Sequence, residues 1–142
     1  MNPVSFIPSH GACFACGRLN ENGLGLVFET VGDRTCCRTT LDSRYQSYDG
    51  IVHGGILASI ADAAMVHLVY RRHGGRPLTC SLDVRYRASV CVGDEVVASA
   101  TILRSKHRMV WASCTIAVGC RLCAEANGAF AVQRRDGSVL NQ

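Results

Sequence analysis

Asp62 stands inside the longest apolar stretch of the chain, Ile56 to Tyr70, which also contains His67. A carboxylate amid apolar neighbours is expensive to keep there without a purpose. Eight residues before it comes Gly54, preceded by His53 and followed by Gly55. If the apolar stretch is a helix, Gly54 opens it. Free backbone N–H groups and the positive end of the helix dipole then sit where a carbonyl oxygen could gain negative charge. Glycine at that point lets a ligand carbonyl approach the backbone. A carboxylate such as Asp62 could activate water or attack the carbonyl itself. The chemistry suggested is nucleophilic attack on a carbonyl.

Geometry constrains how the two could cooperate. Eight residues at about 1.5 Å rise separate Gly54 from Asp62 by roughly 12 Å along the axis. A base and an oxyanion donor serving one carbonyl must each come within about 3 Å of the reacting atoms. Two copies of the helix are therefore needed, the Asp62 of one chain meeting the Gly54 of another.

The elements that must hold these residues can be read from periodicity. Ile56, Leu57, Ile60, Ala61, Ala64, Met65 and Leu68 recur at helical spacing, which predicts a helix from Gly54 to Arg72. Its opposite face is hardly more polar, so the helix is buried on most sides, and His73-Gly74-Gly75-Arg76-Pro77 ends it. Before it, Leu24–Glu29 and Arg34–Leu41 read as strands around a Val31-Gly32-Asp33 turn. After it, Leu78, Cys80, Leu82, Val84 and Tyr86 alternate with polar residues and predict one strand face. Strands over 95–104, 110–118 and 122–132 follow, joined by short turns, one of them Ser105-Lys106-His107-Arg108. The result is α+β, six strands wrapped around one central helix in a single domain over 1–142, with an irregular segment over 1–23.

Composition narrows the function classes. A hydrophobic content of 48% and a charged content of 18% belong to an ordinary globular protein. The net charge of +4 is spread without any basic run longer than a pair, which argues against nucleic acid as a partner. The apolar stretch falls short of a membrane span, and the first residues lack the pattern of a signal peptide. A cytoplasmic location with reduced thiols is the expectation for the nine cysteines.

The segment Gly50-Ile51-Val52-His53-Gly54-Gly55-Ile56-Leu57-Ala58-Ser59-Ile60-Ala61-Asp62 resembles the signature of hotdog-fold thioesterases of the phenylacetic-acid-degradation type. Cys13-Phe14-Ala15-Cys16-Gly17 with Asn20 and Gly23-Leu24, and Cys123-Ala124-Glu125-Ala126-Asn127-Gly128-Ala129-Phe130, are similar to the two ends of many members. The resemblance implies the hotdog fold, an acyl-CoA thioesterase and a homodimer or dimer of dimers with sites across the interface. It implies Asp62 as general base or nucleophile and the Gly54 N–H as oxyanion donor. His53 would polarise the carbonyl, and Ser81 would orient the attacking water or the carboxylate. Gly55, Gln46 and Val66 would contact substrate, and Lys106 and Arg108 the CoA nucleotide. Gln46 lies one residue further from His53 than the family's amide does.

Two other classes compete. Hydratases of acyl thioesters use the same fold with a different placement of acid and His, and some hotdog domains only bind acyl-CoA. Met65, Val66 and Val69 suit an aryl or a medium aliphatic acyl group. No cofactor and no metal is expected. Cys13/Cys16 and Cys120/Cys123 could in principle make a four-thiolate zinc site. About a hundred residues separate the pairs, though, and strand alternation turns the second pair apart.

Overall fold

The structure, a computed structural model, describes residues 4–134. The first three residues of the irregular segment, and 135–142 of the expected 1–142 domain, lie outside the described residues. Six strands form one antiparallel sheet: β1 (Glu29–Val31), β2 (Arg34–Thr40), β3 (Arg76–Tyr86), β4 (Glu95–Lys106), β5 (Met109–Val118) and β6 (Arg121–Gln133). Their spatial order is β1-β2-β4-β5-β6-β3. The helix α1 (Gly54–His73) packs across β2 to β6, which is the hotdog arrangement.

The helix forms where periodicity places it. Gly74 closes it, its N–H bonding to the Tyr70 carbonyl at 2.8 Å. From Ile60 to Val69 every residue except Asp62 is buried. Leu57, Ile60, Met65 and Leu68 meet Phe28, Phe130 and Ile116 in one core, each such side chain contributing about 1.5–3 kcal/mol by leaving water. Ala61 and Ala64, at most 1% exposed, let the helix lie close to the sheet. The β4–β5 ladder alternates up to its register shift between Ile102 and Arg104, with Ala98 opposite Ile116 and Ala100 opposite Cys114, all buried.

Two expectations are corrected. Leu24–Phe28 is not a strand; only Glu29 of the predicted run joins β1. Its backbone bonds instead go singly to the N-terminal segment. Leu24 N–H meets the Phe14 carbonyl, Leu26 N–H the Ala15 carbonyl, and the Phe28 carbonyl the Ser5 N–H. Gly25, at φ +61, breaks the extended run. The single face predicted for β3 is also broken. Thr79 pairs with Phe130 and Ser81 with Ala129, so Cys80 is an unpaired bulge and the alternation changes parity there. Leu78 and Leu82 end up on opposite faces.

Candidate active site

Asp62 projects from the middle of α1 on the one stripe the core does not seal. Gly55 is exposed, and Ala58, Ser59 and Asp62 are half-buried at helical spacing. Ser59 is locally satisfied, its hydroxyl donating to the Gly55 carbonyl at 2.9 Å. Asp62 Oδ1 accepts a 2.7 Å hydrogen bond from Thr79 Oγ1 on β3. Burial holds the Asp62 carboxyl above the ordinary carboxylate range, and the Thr79 bond works the other way. A carboxylate poised upward and fixed by one neutral donor is suited to take a proton from water.

The helix N-terminus lies at the other end of the same stripe. His53 is the N-cap in extended conformation, and its Nδ1 accepts the Gly55 N–H at 2.8 Å. Because Nδ1 is the acceptor, a neutral His53 carries its proton on Nε2, facing away from the backbone. The His53 carbonyl takes up the Ile56 N–H at 3.0 Å. The Gly54 N–H is taken up by nothing among the described residues, so a free donor stands at the positive end of a 20-residue helix. Tyr86, at the end of β3, donates its hydroxyl to the Gly54 carbonyl at 2.6 Å. A Cβ at position 54 would lie 3.3 Å from that tyrosine ring. Glycine here permits the close packing of Tyr86.

The remaining predicted residues divide. Gln46 belongs to the loop under His53. Its Oε1 accepts the Gly50 N–H at 3.1 Å, while the Tyr45 carbonyl accepts the His53 N–H at 2.8 Å. Val66, 8% exposed, continues the Asp62 stripe one turn on. Ser81 does not join Asp62. The bulge at Cys80 puts Ser81 on the face of Ala129, away from α1, whereas Thr79 shares the helix-side face of Phe130. Lys106 and Arg108 flank the β4–β5 turn at the far end of the helix. There Arg108 borders a cavity of about 350 Å³ with His73, His107 and Arg134, and its Nη1 is buried with no partner among the described residues. Cavities of about 760 and 500 Å³ lie elsewhere again, against the N-terminal segment.

Thr79 and Tyr86 were missed by sequence reasoning. Thr79 is marked as a neighbour of the helix only once the bulge is known, whereas Tyr86 lies on the apolar face that alternation already predicts. Periodicity alone gives no signal for that bulge.

The edge of the sheet adds the last element. β3 pairs only with β6, so its outer backbone groups are unpaired among the described residues along an 11-residue strand. Leu78, Leu82 and Tyr86 are 41%, 37% and 51% exposed there. A long edge with apolar side chains is a surface that pairs readily with another strand.

Comparisons with known proteins agree with this fold. A family model described as the thioesterase superfamily matches residues 49–124, more than half of the chain and the span from Asp49 through α1 to β6. A Pseudomonas aeruginosa protein provisionally named an esterase is 28% identical over 92 residues, covering 63% of this chain and 69% of that protein. Mouse acyl-coenzyme A thioesterase 13 is 22% identical over 82 residues, 57% of this chain and 59% of its own length. The solved structure of a conserved Pseudomonas aeruginosa protein is similar with a TM-score of 0.71 and 27% identity, covering 77% of this chain and 89% of that one.

Proposed function

The chain belongs to the thioesterase superfamily, and from that premise we propose that it hydrolyses an acyl-CoA thioester to the free acid and CoA. The observation that carries this reading is Asp62, half-buried on the unsealed stripe of α1 and, among the described residues, hydrogen-bonded to Thr79 alone. Asp62 acts as general base, taking a proton from water as the oxygen attacks the thioester carbon. The oxyanion rests on the Gly54 N–H, assisted by His53 Nε2–H. When the C–S bond breaks, the CoA sulfur leaves as thiolate and receives the proton that Asp62 took up.

The two groups stand roughly 12 Å apart on one helix, so the reaction uses Asp62 of one chain and Gly54 of a second. The free β3 edge with Leu78 and Leu82 is the surface through which two copies pair, as a homodimer or as half of a dimer of dimers. The resemblance to the phenylacetic-acid-degradation type belongs to this reading. So do substrate contacts from Gly55, Gln46 and Val66 and CoA contacts from Lys106 and Arg108, while Ser81, which the bulge at Cys80 turns away from Asp62, takes no part. Among the described residues no helix is long and apolar enough to cross a membrane.

The test is thiol release from a panel of aryl and aliphatic acyl-CoAs. Asp62→Ala removes the base. Gly54→Pro removes the one N–H at the first helical position, where the helix itself accepts proline, at the cost of a shift of a few tenths of an ångström in the Tyr86 ring; His53 before it already has the extended ψ of 132° that a pre-proline residue needs. Each variant alone is expected to lose activity by roughly 10²–10⁴-fold. Co-refolded, the two should regain about a quarter of native turnover, since half the dimers are mixed and one of their two sites is intact. Folded single variants that stay active would overturn the assignment, and enoyl-CoA hydration without thiol release would favour a hydratase. Binding with no turnover by the native protein would leave an acyl-CoA binder.

A further inference from the structure

His67, on α1, is used by nothing in the reaction above. It is 2% exposed, and its Nδ1 lies 2.7 Å from Ser5 Oγ. Its Nε2 is buried with no hydrogen-bond partner among the described residues, an arrangement that costs free energy unless something occupies it. The Phe28 ring stacks on it at 4.4 Å, and the His10 ring meets it edge-on at 6.1 Å. His10 Nδ1 is in turn 3.4 Å from Cys16 Sγ. One ligand atom each from His10, Cys16 and His67 lies within 4.8 Å of the others, and all three residues line the cavity of about 500 Å³ under the N-terminal segment. The Cys13 thiol is a close enough neighbour of the Cys16 thiol to raise its pKa. The turn that folds Cys13 back on Cys16 closes with the Gly17 N–H on the Cys13 carbonyl at 2.8 Å. It requires glycine, because a Cβ at 17 would lie 2.3 Å from the Cys13 nitrogen.

We propose that His10, Cys13, Cys16 and His67 hold a structural zinc ion that fastens the N-terminal segment to the central helix. Two imidazoles and two thiolates are the donor set a borderline-soft dication prefers, and two thiolates neutralise its charge in a half-buried place. A zinc tetrahedron with ordinary Zn–N and Zn–S bonds has edges of about 3.4–3.8 Å, so the three clustered donors close around an ion with shifts of about 1 Å, and Cys13, which lies outside that cluster, turns in beside Cys16 as the fourth. Binding transfers the Cys13 and Cys16 protons to solvent, two per ion, and the metal–ligand bonds form in their place. Without an ion, burial first and the neighbouring Cys13 thiol second push the Cys16 thiol up to about 12, where it is no nucleophile. Four protein donors leave no open position, so the ion is a fastening and not a reagent.

This ligand set replaces the four-cysteine arrangement conceivable from sequence. Cys120 is exposed in the β5–β6 turn, and Cys123 Sγ donates to the Arg121 carbonyl at 3.5 Å. Among the described residues neither joins the cluster of His10, Cys16 and His67. The fastening also has a mechanical reason. Ile7, Ala15, Leu26 and Phe28 pack this segment into the core, but among the described residues its backbone bonds run mostly within the segment, and one isolated bridge, Val4 to Glu29, ties that backbone to the sheet.

The experiment is metal analysis of the full chain produced in zinc-supplemented medium, with cobalt(II) exchanged in as a spectroscopic probe. The expected result is about one zinc per chain, and a cobalt form with a thiolate-to-metal charge-transfer band and tetrahedral d–d bands. Cys16→Ser and His67→Phe should each lower zinc to under about a tenth per chain. His10→Ala, in the irregular segment and outside the helical core, keeps the fold and shifts the d–d bands by loss of one nitrogen. Cys120→Ser should leave metal content and spectrum unchanged. Native protein with no zinc and no charge-transfer band on cobalt addition would overturn the site, as would zinc that survives both Cys16→Ser and His67→Phe. Loss of zinc in Cys120→Ser would overturn the ligand set. None of these readouts depends on turnover, so the site stands or falls separately from the thioesterase reading.

Discussion

Asp62 and His67 stand five residues apart on one helix and are the only ionisable side chains in it before Tyr70. Five residues turn the helix by about 140° beyond a full revolution, so the two look out of different sides. On the Asp62 side the helix faces the start of an edge strand, the carboxylate has one hydroxyl partner, and solvent still reaches it. On the His67 side the irregular N-terminal segment seals the ring, with Ser5, Phe28 and His10 around it and one nitrogen left orphaned. A polar group left partly wet and held by a single bond is placed for a reactant that comes and goes. A polar group sealed on every side with an unmet nitrogen is placed for a partner that stays.

Replacing Asp62 by Asn should separate activity from stability more sharply than any other change. Asn keeps an oxygen for Thr79 but cannot take a proton, so thiol release should fall by about 10²–10⁴-fold. Stability should move the other way at neutral pH. Burial raises the native Asp62 pKa above its unfolded value, so the folded chain holds that proton more tightly. The stability this confers in acid is lost as pH rises through the carboxyl's titration. At pH 7 the ionised carboxylate is therefore a net cost, and the Asn variant should melt at a higher temperature than the native chain. The difference should close as pH falls below the ordinary carboxylate range. Thermal unfolding across pH checks this; a variant that melts lower throughout would make Asp62 a structural acid.

Elements built from local pattern were legible in the sequence. The helix was expected over Gly54 to Arg72 and runs to His73, because an apolar period with glycines at both ends leaves little choice. The β4–β5 and β5–β6 hairpins follow from short turns between alternating runs. Asp62 stood out for the same reason, as a charge where the pattern demands apolar residues. What the pattern could not carry is what depends on long-range pairing. The bulge at Cys80 exchanges Ser81 for Thr79 at the carboxylate, and only the register against β6 reveals it. Leu24–Phe28 alternates like a strand, yet the N-terminal segment, not a strand, takes its backbone bonds. His67 and Cys16 come together across 51 residues, which no cysteine spacing announces.

On the sealed side, Ser5→Ala should act on stability alone. Ser5 is 7% exposed and its hydroxyl is the partner of His67 Nδ1. Losing it leaves a second unmet nitrogen on a buried ring, for about 1–3 kcal/mol of destabilisation. Denaturant unfolding should register that loss while kcat/KM for thiol release stays within about twofold. A drop in turnover matching the loss of Asp62 would mean that the two sides of the helix are one site.

The finest distinction lies within β3, between two hydroxyls two residues apart. Thr79→Val keeps the β-branched shape that suits a strand and removes only the donor to Asp62 Oδ1. A lost hydrogen bond of this kind is worth about 1–2 kcal/mol, or roughly 5–30-fold in kcat/KM. Its effect on pH dependence has a definite sign. The Thr79 bond favours the ionised carboxylate against burial, so without it the Asp62 pKa rises further. The acid limb of the kcat/KM profile should then move to higher pH, because the base is protonated over a wider range. Ser81→Ala removes a hydroxyl that the bulge has turned to the other face, and it should leave both the limb and the rate within about twofold. A pH limb that moves in Ser81→Ala and not in Thr79→Val would show that the paired chain, not the chain's own β3, supplies the donor that sets Asp62.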